Sequence, residues 1–238
     1  MKALILNSGI GKRMGDITSE HPKCMIEIED GETILSRQLK QVQQSGIEDI
    51  VITTGPFEQV LIEYCESLKL PLQYIFVNNP VYDKTNYIYS IYLARKYLDE
   101  EIVLLHGDLV FETNILKDML QKDYSNMVVS SIIPLPDKDF KAVVKDNRID
   151  KIGVEFFDNA MAAQPLYKIN KKDWVVWLNR IIDYCEKGLV SCYAENAFNE
   201  VSDKCLIYIK DVTDSLCSEI DTPEDLIIIK GRLSRLNH

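Results

Sequence analysis

Residues 2–14 read Lys2-Ala3-Leu4-Ile5-Leu6-Asn7-Ser8-Gly9-Ile10-Gly11-Lys12-Arg13-Met14. The unbroken apolar run predicts a strand covered on both faces over Lys2–Asn7, ending in a glycine loop that carries two cations. Glycines directly after a strand let backbone N–H groups close on phosphate oxygens, and a following arginine adds a bidentate clamp. A dinucleotide loop needs Gly-x-Gly-x-x-Gly opening straight into a helix, with an acid after the next strand. Here the third glycine is Gly15, one position late, and the second strand ends Thr53-Thr54-Gly55 without an acid. The Walker pattern is absent as well. The loop has phosphate-binding chemistry but fits neither motif.

Outward from the loop, β-branched runs alternate with helical periodicity. Thr33–Ser45 places apolar residues at 34, 35, 39 and 42 before Gly46, which predicts a helix with a glycine stop. Strands follow at Asp49–Thr54, Leu72–Val77, Ile102–His106 and Met127–Ile132, with helices at Phe57–Ser67, Tyr87–Tyr97 and Thr113–Gln121 between them. This alternation implies a parallel sheet with helices on both faces, an α/β fold. After residue 133 the pattern changes to a hairpin (Lys141–Lys151), a strand (Ala162–Lys168), a helix with both tryptophans (Lys171–Lys187), a strand (Leu206–Lys210) and a last helix (Thr222–Leu236). Trp174, Trp177 and Tyr184 fall at helical spacing and read as core. With no linker and no repeat, the expectation is one domain over 1–238: a first half, 1–133, and a second half, 134–238, that inserts into or covers the sheet.

The 238 residues carry 27 bases against 37 acids, a net charge of −10. Such a balance disfavours nucleic-acid and anionic-membrane partners, because the field repels phosphate backbones. The charge is uneven: residues 1–25 carry four bases and two acids, residues 195–225 nine acids and two bases. The six cysteines show neither a CxxC pair nor metal-finger spacing, and no apolar run approaches a membrane span or a signal peptide. A cytoplasmic protein with free thiols is expected.

Ten residues after Arg13 comes Pro22-Lys23-Cys24-Met25, a lysine fixed by a preceding proline and placed to return over the same phosphates. At this point the chain resembles the nucleotidyltransferases, whose N-terminal signature runs roughly L-x-x-G-x-G-x-R followed by PK. The resemblance implies a Rossmann-like nucleotidyltransferase domain with a mixed, mostly parallel sheet and a small inserted hairpin and helix cap. It implies that Gly9, Gly11, Lys12 and Arg13 contact nucleotide phosphates and that Lys23 bridges donor and acceptor phosphates. Leu6, Asn7, Ser8 and Gly55 would border the nucleotide; Asn7-Ser8 depart from the small residues usual there, which leaves their base contacts open. Thr85-Asn86-Tyr87-Ile88-Tyr89-Ser90 opens a helix where sugar-activating relatives carry a base-reading Gly-Thr-Ala segment. The Asn-x-Ile-Tyr-Ser form is similar instead to cytidylyltransferases that activate phosphocholine or small phosphonates, with Thr85, Asn86 and Ser90 near the nucleoside. Either Thr85 or Asn86 is also a helix N-cap candidate.

His106-Gly107-Asp108 follows the fourth strand, at the carboxyl edge where open α/β sheets bind ligands. Asp108 suits a hard divalent cation against triphosphate oxygens. Glu219-Ile220-Asp221-Thr222-Pro223 reads as a helix start, and the resemblance makes Asp221 the second ligand to Mg2+ beside Asp108. For the acceptor, Tyr193, Glu195 and Asn196 put carboxylate and aromatic together for a cationic amine. Lys141 is the expected clamp for the acceptor's phosphate or phosphonate, and Gln164 stands where sugar-activating relatives carry a glycine. The implied reaction transfers CMP from CTP to a small phosphonate or phosphate acceptor, with Arg13, Lys23 and Asp108 catalytic, no nucleic acid, no membrane insertion and a homodimer allowed. The rivals are a sugar-1-phosphate nucleotidylyltransferase, a catalytically silent nucleotide-binding regulatory module and a glycosyltransferase, the last disfavoured by the missing Asp-x-Asp.

Overall fold

In the computed structural model, which describes residues 1–236, the opening run is strand β1 (Lys2–Leu6). The glycine loop and two 3-10 turns lead to a short ribbon, β2 (Glu27–Glu29) and β3 (Glu32–Thr33), and then to helix α1 (Ile34–Gln44). There follow β4 (Asp49–Thr54), α2 (Glu58–Ser67), β5 (Gln73–Asn78), α3 (Tyr87–Ala94), β6 (Ile102–His106), β7 (Leu109–Phe111), α4 (Thr113–Leu120) and β8 (Ser125–Ser130). The second half contains β9 (Lys141–Lys145), β10 (Arg148–Gly153), β11 (Ala160–Ile169), α5 (Lys171–Glu186), α6 (Ala194–Asn199), β12 (Ile207–Asp211), β13 (Cys217–Glu219) and α7 (Pro223–Leu236).

The main sheet has nine strands in the order β5-β4-β1-β6-β11-β8-β12-β10-β9 and runs through both halves of the chain. β1 pairs in parallel with β4 on one side and β6 on the other, so Leu6 lies in register with Thr53 and His106. β11 is antiparallel to β6 and β8, and its start also pairs with β9, so the far end of the sheet curls back on itself. Alternation of side chains sends Leu4 to one face and Ala3 and Ile5 to the other. On the first face lie α3, α5 and α6, with Trp174 and Trp177 fully buried and their indole N–H groups donating to Leu98 O and Ala194 O. On the second lie α1, α2 and α4. No helix among the described residues is long and apolar enough to cross a membrane.

One expectation shifts and another holds. β8 begins two residues earlier than its apolar run suggests, because Ser125 donates to Asp173 at 2.6 Å and Asn126 to Met119 O at 3.2 Å; bonded polar groups can be buried, and Ile132 is left exposed. The hairpin over 141–151 forms, turning through Asp146 and Asn147, both in the left-handed region (φ 53° and 59°) that a two-residue hairpin demands. The short β2, β3, β7 and β13 and the helix α6 were not foreseen; each has too few residues for a period to register.

Candidate active site

Three segments converge at the carboxyl ends of β1 and β6. The loop after β1 is shaped by Gly11, whose φ of 62° lies in the left-handed region and whose missing Cβ leaves room for Lys23. The turn after β6 passes so close to β1 that a Cβ on Gly107 would stand 1.6 Å from Asn7 Oδ1 and 2.8 Å from Leu6 O. From α1, the buried Gln38 amide donates to His106 O at 2.9 Å and Leu109 O at 2.8 Å, holding that turn from below. β13 pairs antiparallel with β7, setting Glu219 opposite Leu109, and Ile220 N donates to Asp108 O at 3.0 Å. The start of α7 is fixed by a mutual cap: Asp225 Oδ2 accepts from Thr222 N, while Asp225 N donates to Thr222 Oγ1.

The side chains brought together are those of Arg13, Lys23, Asp108 and Asp221. Lys23 Nζ donates to Asp108 Oδ2 at 2.7 Å and to Asp221 Oδ1 at 2.6 Å, and Arg13 donates to the same Asp221 oxygen at 2.8 Å. Burial disfavours the Lys23 ammonium, but the two carboxylates outweigh it and hold its pKa above the ordinary value. Burial likewise disfavours the Asp108 carboxylate, and Lys23 keeps its pKa below the usual range.

A cavity of about 360 Å³ is lined by Leu6, Asn7, Gly9, Gly11, Lys12, Arg13, Lys23, Gly107 and Asp108, which places the expected phosphate-contacting residues together. A second, of about 220 Å³, is lined by Leu6, Ser8, Gly9, Thr85, Asn86, Ser90 and His106, where the nucleoside was expected. Its hub is Asn79. Asn79 is buried and donates to Thr85 Oγ1 and Ser90 Oγ, both at 3.0 Å, and its Oδ1 accepts from Val81 N. Asn86 is the cap of α3. A third cavity, of about 230 Å³, joins the first two at Arg13, His106 and Asp108 and has an aromatic wall of Tyr87, Phe140 and Tyr193 with Lys138, Asp139 and Glu219. A fourth, of about 310 Å³, adds Gln164, Thr222 and Asp225.

Four assignments need correction. Gly55 lines none of these cavities: a Cβ there would meet Ser8 O at 2.3 Å, so it serves the close passage of two backbones. Lys141 is fully buried, its Nζ donating to Pro136 O and Asp139 O and standing 4.2 Å over the Phe157 ring, so it is not free for an acceptor's oxyanion; Lys138 lines the cavity instead. Glu195 is buried behind the aromatic wall, bonded to Tyr87 and Tyr167. Asn196 accepts from Tyr193 N at 3.0 Å and caps α6. Asp108 and Asp221 come together as expected, both bonded to Lys23, and the donors grouped within 4.8 Å add His106 and Glu219 to Asp108.

Glu219 is what sequence reading missed as chemistry, together with its pairing to His106. His106 Nδ1 and Glu219 Oε1 lie 3.0 Å apart. Burial raises the Glu219 pKa and the Asp108 charge adds to it, reaching about 7. Burial lowers that of His106, but the bonded Glu219 and the nearby Asp108 and Glu195 charges carry it to about 8. Asp108 Oδ1 and His106 Nε2 are buried without partners among the described residues. The signal available was Glu219 two residues before Asp221, on the same strand-to-helix connection.

This architecture has known counterparts. The chain is 29% identical over 131 residues to a CMP-5'-(3-aminopropyl)phosphonate synthase of Streptomyces rubellomurinus, covering 55% of this chain and 21% of that one. It is 23% identical over 233 residues to a choline-phosphate cytidylyltransferase of Streptococcus pneumoniae, covering 94% of this chain and 95% of that one. Its fold matches the inositol-1-phosphate CTP transferase from T. maritima with a TM-score of 0.79, at 23% identity over 98% of this chain and 96% of that one. A family model described as the MobA-like NTP transferase domain matches residues 3–133, more than half of the chain, and with the loop after β1 and Lys23 lining one cavity, the protein belongs to that nucleotidyltransferase family.

Proposed function

We propose that the chain is a cytidylyltransferase that transfers CMP from CTP to the phosphonate or phosphate oxygen of a small head group, 2-aminoethylphosphonate or a close analogue, or phosphocholine, releasing pyrophosphate. The observation that carries this reading is the meeting of a cation-lined cavity, a nucleoside-sized cavity and an aromatic-walled cavity at Asp108. The relatives named for aminopropylphosphonate and choline phosphate support it, since both head groups are small and carry an amine. Tyr87, Phe140 and Tyr193, with Asp139 and Glu219 beside them, offer ring faces and carboxylates to such an amine.

In the proposed step an acceptor oxygen attacks the α-phosphorus of CTP in line. The new P–O bond forms as the bond from that phosphorus to the bridging oxygen breaks, and the electron pair leaves on pyrophosphate. The acceptor oxygen is already anionic at neutral pH, so no general base is needed. The backbone at Gly9 and Gly11, with Lys12 and Arg13, binds the departing phosphates, and Lys23 neutralises charge on the transferring group. Asp108, whose Oδ1 is unpaired, with Glu219 and Asp221 near it, fits a divalent cation such as Mg2+, which when bound would neutralise phosphate charge.

A pyrophosphate-release screen tests the reading by crossing CTP, ATP, GTP and UTP with 2-aminoethylphosphonate, 2-hydroxyethylphosphonate, phosphocholine and glucose-1-phosphate. Turnover of CTP with one of the first three is the expected result. Turnover only of UTP with the sugar phosphate would replace the reading with sugar activation.

A further inference from the structure

Glu195 is 1% exposed, and its two oxygens are held by neutral groups alone among the described residues. Oε1 accepts from Tyr167 Oη at 2.9 Å, and Oε2 accepts from Tyr87 Oη across 108 residues of sequence. A buried carboxylate with no cation bonded to it is costly, and an apolar side chain would fill the same space more cheaply. The two tyrosines differ in surroundings. Tyr167 packs its ring on Trp177 in the core, at 5.6 Å, and lines no cavity described above. Tyr87 lines both the nucleoside cavity and the acceptor cavity, its ring 4.9 Å from His106 and 5.9 Å from Tyr193. The short helix α6 therefore delivers two things to one wall: the Tyr193 ring at its cap, and a carboxylate that ties the Tyr87 hydroxyl from behind.

We propose that Glu195 is a positioning residue: held in place by the first turn of α6, it fixes the Tyr87 ring as the partition between the nucleoside and acceptor cavities. Tyr87 has a free choice of hydroxyl orientation but only one bonded ring position while the tether is made, and a fixed ring needs no ordering when an acceptor arrives. The effect on the acceptor rests on the cytidylyltransferase reading; the fixed ring does not.

The test compares Glu195→Ala, Glu195→Gln, Tyr87→Phe and Tyr167→Phe in metal-free buffer, reading the imidazole C–H signals of His106 by NMR, since these feel the ring at position 87. The signals are expected to move in Glu195→Ala and Tyr87→Phe. They are expected to stay near wild type in Tyr167→Phe; Glu195→Gln, whose amide can accept from one hydroxyl and donate to the other, keeps the tether, and its acceptor KM should stay within about twofold of wild type. Tyr87→Phe keeps every charge and the ring itself, so it carries the test even if Glu195→Ala fails to fold. In turnover, Glu195→Ala and Tyr87→Phe should raise the acceptor KM about tenfold with kcat within about twofold, and the double variant should be no worse than either single. Tyr167→Phe should lower the melting temperature about as much as Tyr87→Phe without that KM change, which separates positioning from general stability. Unmoved His106 signals in Tyr87→Phe, or equal shifts in Tyr167→Phe, overturn the proposal. Shifts as expected in a protein that turns over no acceptor uphold the positioning role and remove the cytidylyltransferase reading instead.

Discussion

Lys23 Nζ lies 2.7 Å from Asp108 Oδ2, a contact that closes 85 residues of chain and joins the loop after β1 to the turn after β6. With Asp221 on its other side at 2.6 Å, this lysine is the counter-ion of two carboxylates. In the proposed reaction a triphosphate would offer its oxygens to the lysine, and a divalent cation would take the carboxylates.

Lys23→Ala should therefore do two things. Loss of a charge-neutralising group at the transferring phosphoryl should lower the rate about a hundredfold, an electrostatic loss of roughly 3 kcal/mol, read by pyrophosphate release. Removing one member of a partly buried ion cluster also leaves the carboxylates uncompensated, at about 3 kcal/mol of stability, read by denaturation in metal-free buffer. Added Mg2+ should restore part of the lost stability in Lys23→Ala and little in the wild type. A variant whose melting temperature ignores Mg2+ would remove Asp108 from the role of cation ligand.

Gly107→Ala and Gly9→Ala separate packing from ligand binding. The Cβ of alanine at 107 would collide with Leu6 O, a backbone atom of the central strand, besides Asn7 Oδ1, and should cost about 3 kcal/mol in urea unfolding. At position 9 a Cβ meets nothing within 4 Å, so stability should hold within about 0.5 kcal/mol. The same methyl group narrows the cavity that Gly9 lines, and CTP affinity measured by calorimetry should fall in Gly9→Ala alone.

What could be read from the sequence follows from the range of the interactions involved. The strands Asp49–Thr54 and Ile102–His106 were legible because burial on both faces leaves a run of apolar residues, and the loop 9–13 with Lys23 because phosphate chemistry constrains neighbouring positions. Lys141 misled because a lone lysine at the start of a strand looks available, whereas its amine ends on two carbonyls five and two residues back. Glu195 and Glu219 were obscured for the opposite reason. Their partners, Tyr87 and His106, lie 108 and 113 residues away, and only the closed sheet brings them within reach.

Glu32 gives the fold an acid-sensitive clamp away from the site. Burial raises its pKa, but Lys40 at 2.9 Å and Arg37 at 2.9 Å outweigh that and hold it below the ordinary value. The unfolded chain binds a proton there more readily than the folded one, so the contribution is fully present above the ordinary carboxylate value and is lost as pH falls through the lower folded value. Because the cluster is partly solvated, about 1 kcal/mol is at stake. Urea unfolding of Glu32→Gln should show lower stability than wild type at pH 7 and converge with it near pH 3. Parallel curves over that range would mean the clamp does not titrate.

Gln38 offers the sharpest separation of support from chemistry. It touches no cavity, yet its amide makes two bonds to carbonyls on either side of Gly107 and Asp108. Gln38→Met keeps the length and volume of the side chain and removes both donors, leaving two buried carbonyl oxygens short of a partner. The loss should be about 2 kcal/mol in stability. The turn should then hold Asp108 less firmly against Lys23, so kcat/KM for CTP should drop at temperatures where the variant is still folded. Alanine at Gln38 adds a cavity to the same loss and should be less stable than methionine but no slower once both are folded, because the donors, not the volume, set the turn. Full activity in Gln38→Met would show that β13 and the Ile220–Asp108 bond are enough to place Asp108 by themselves.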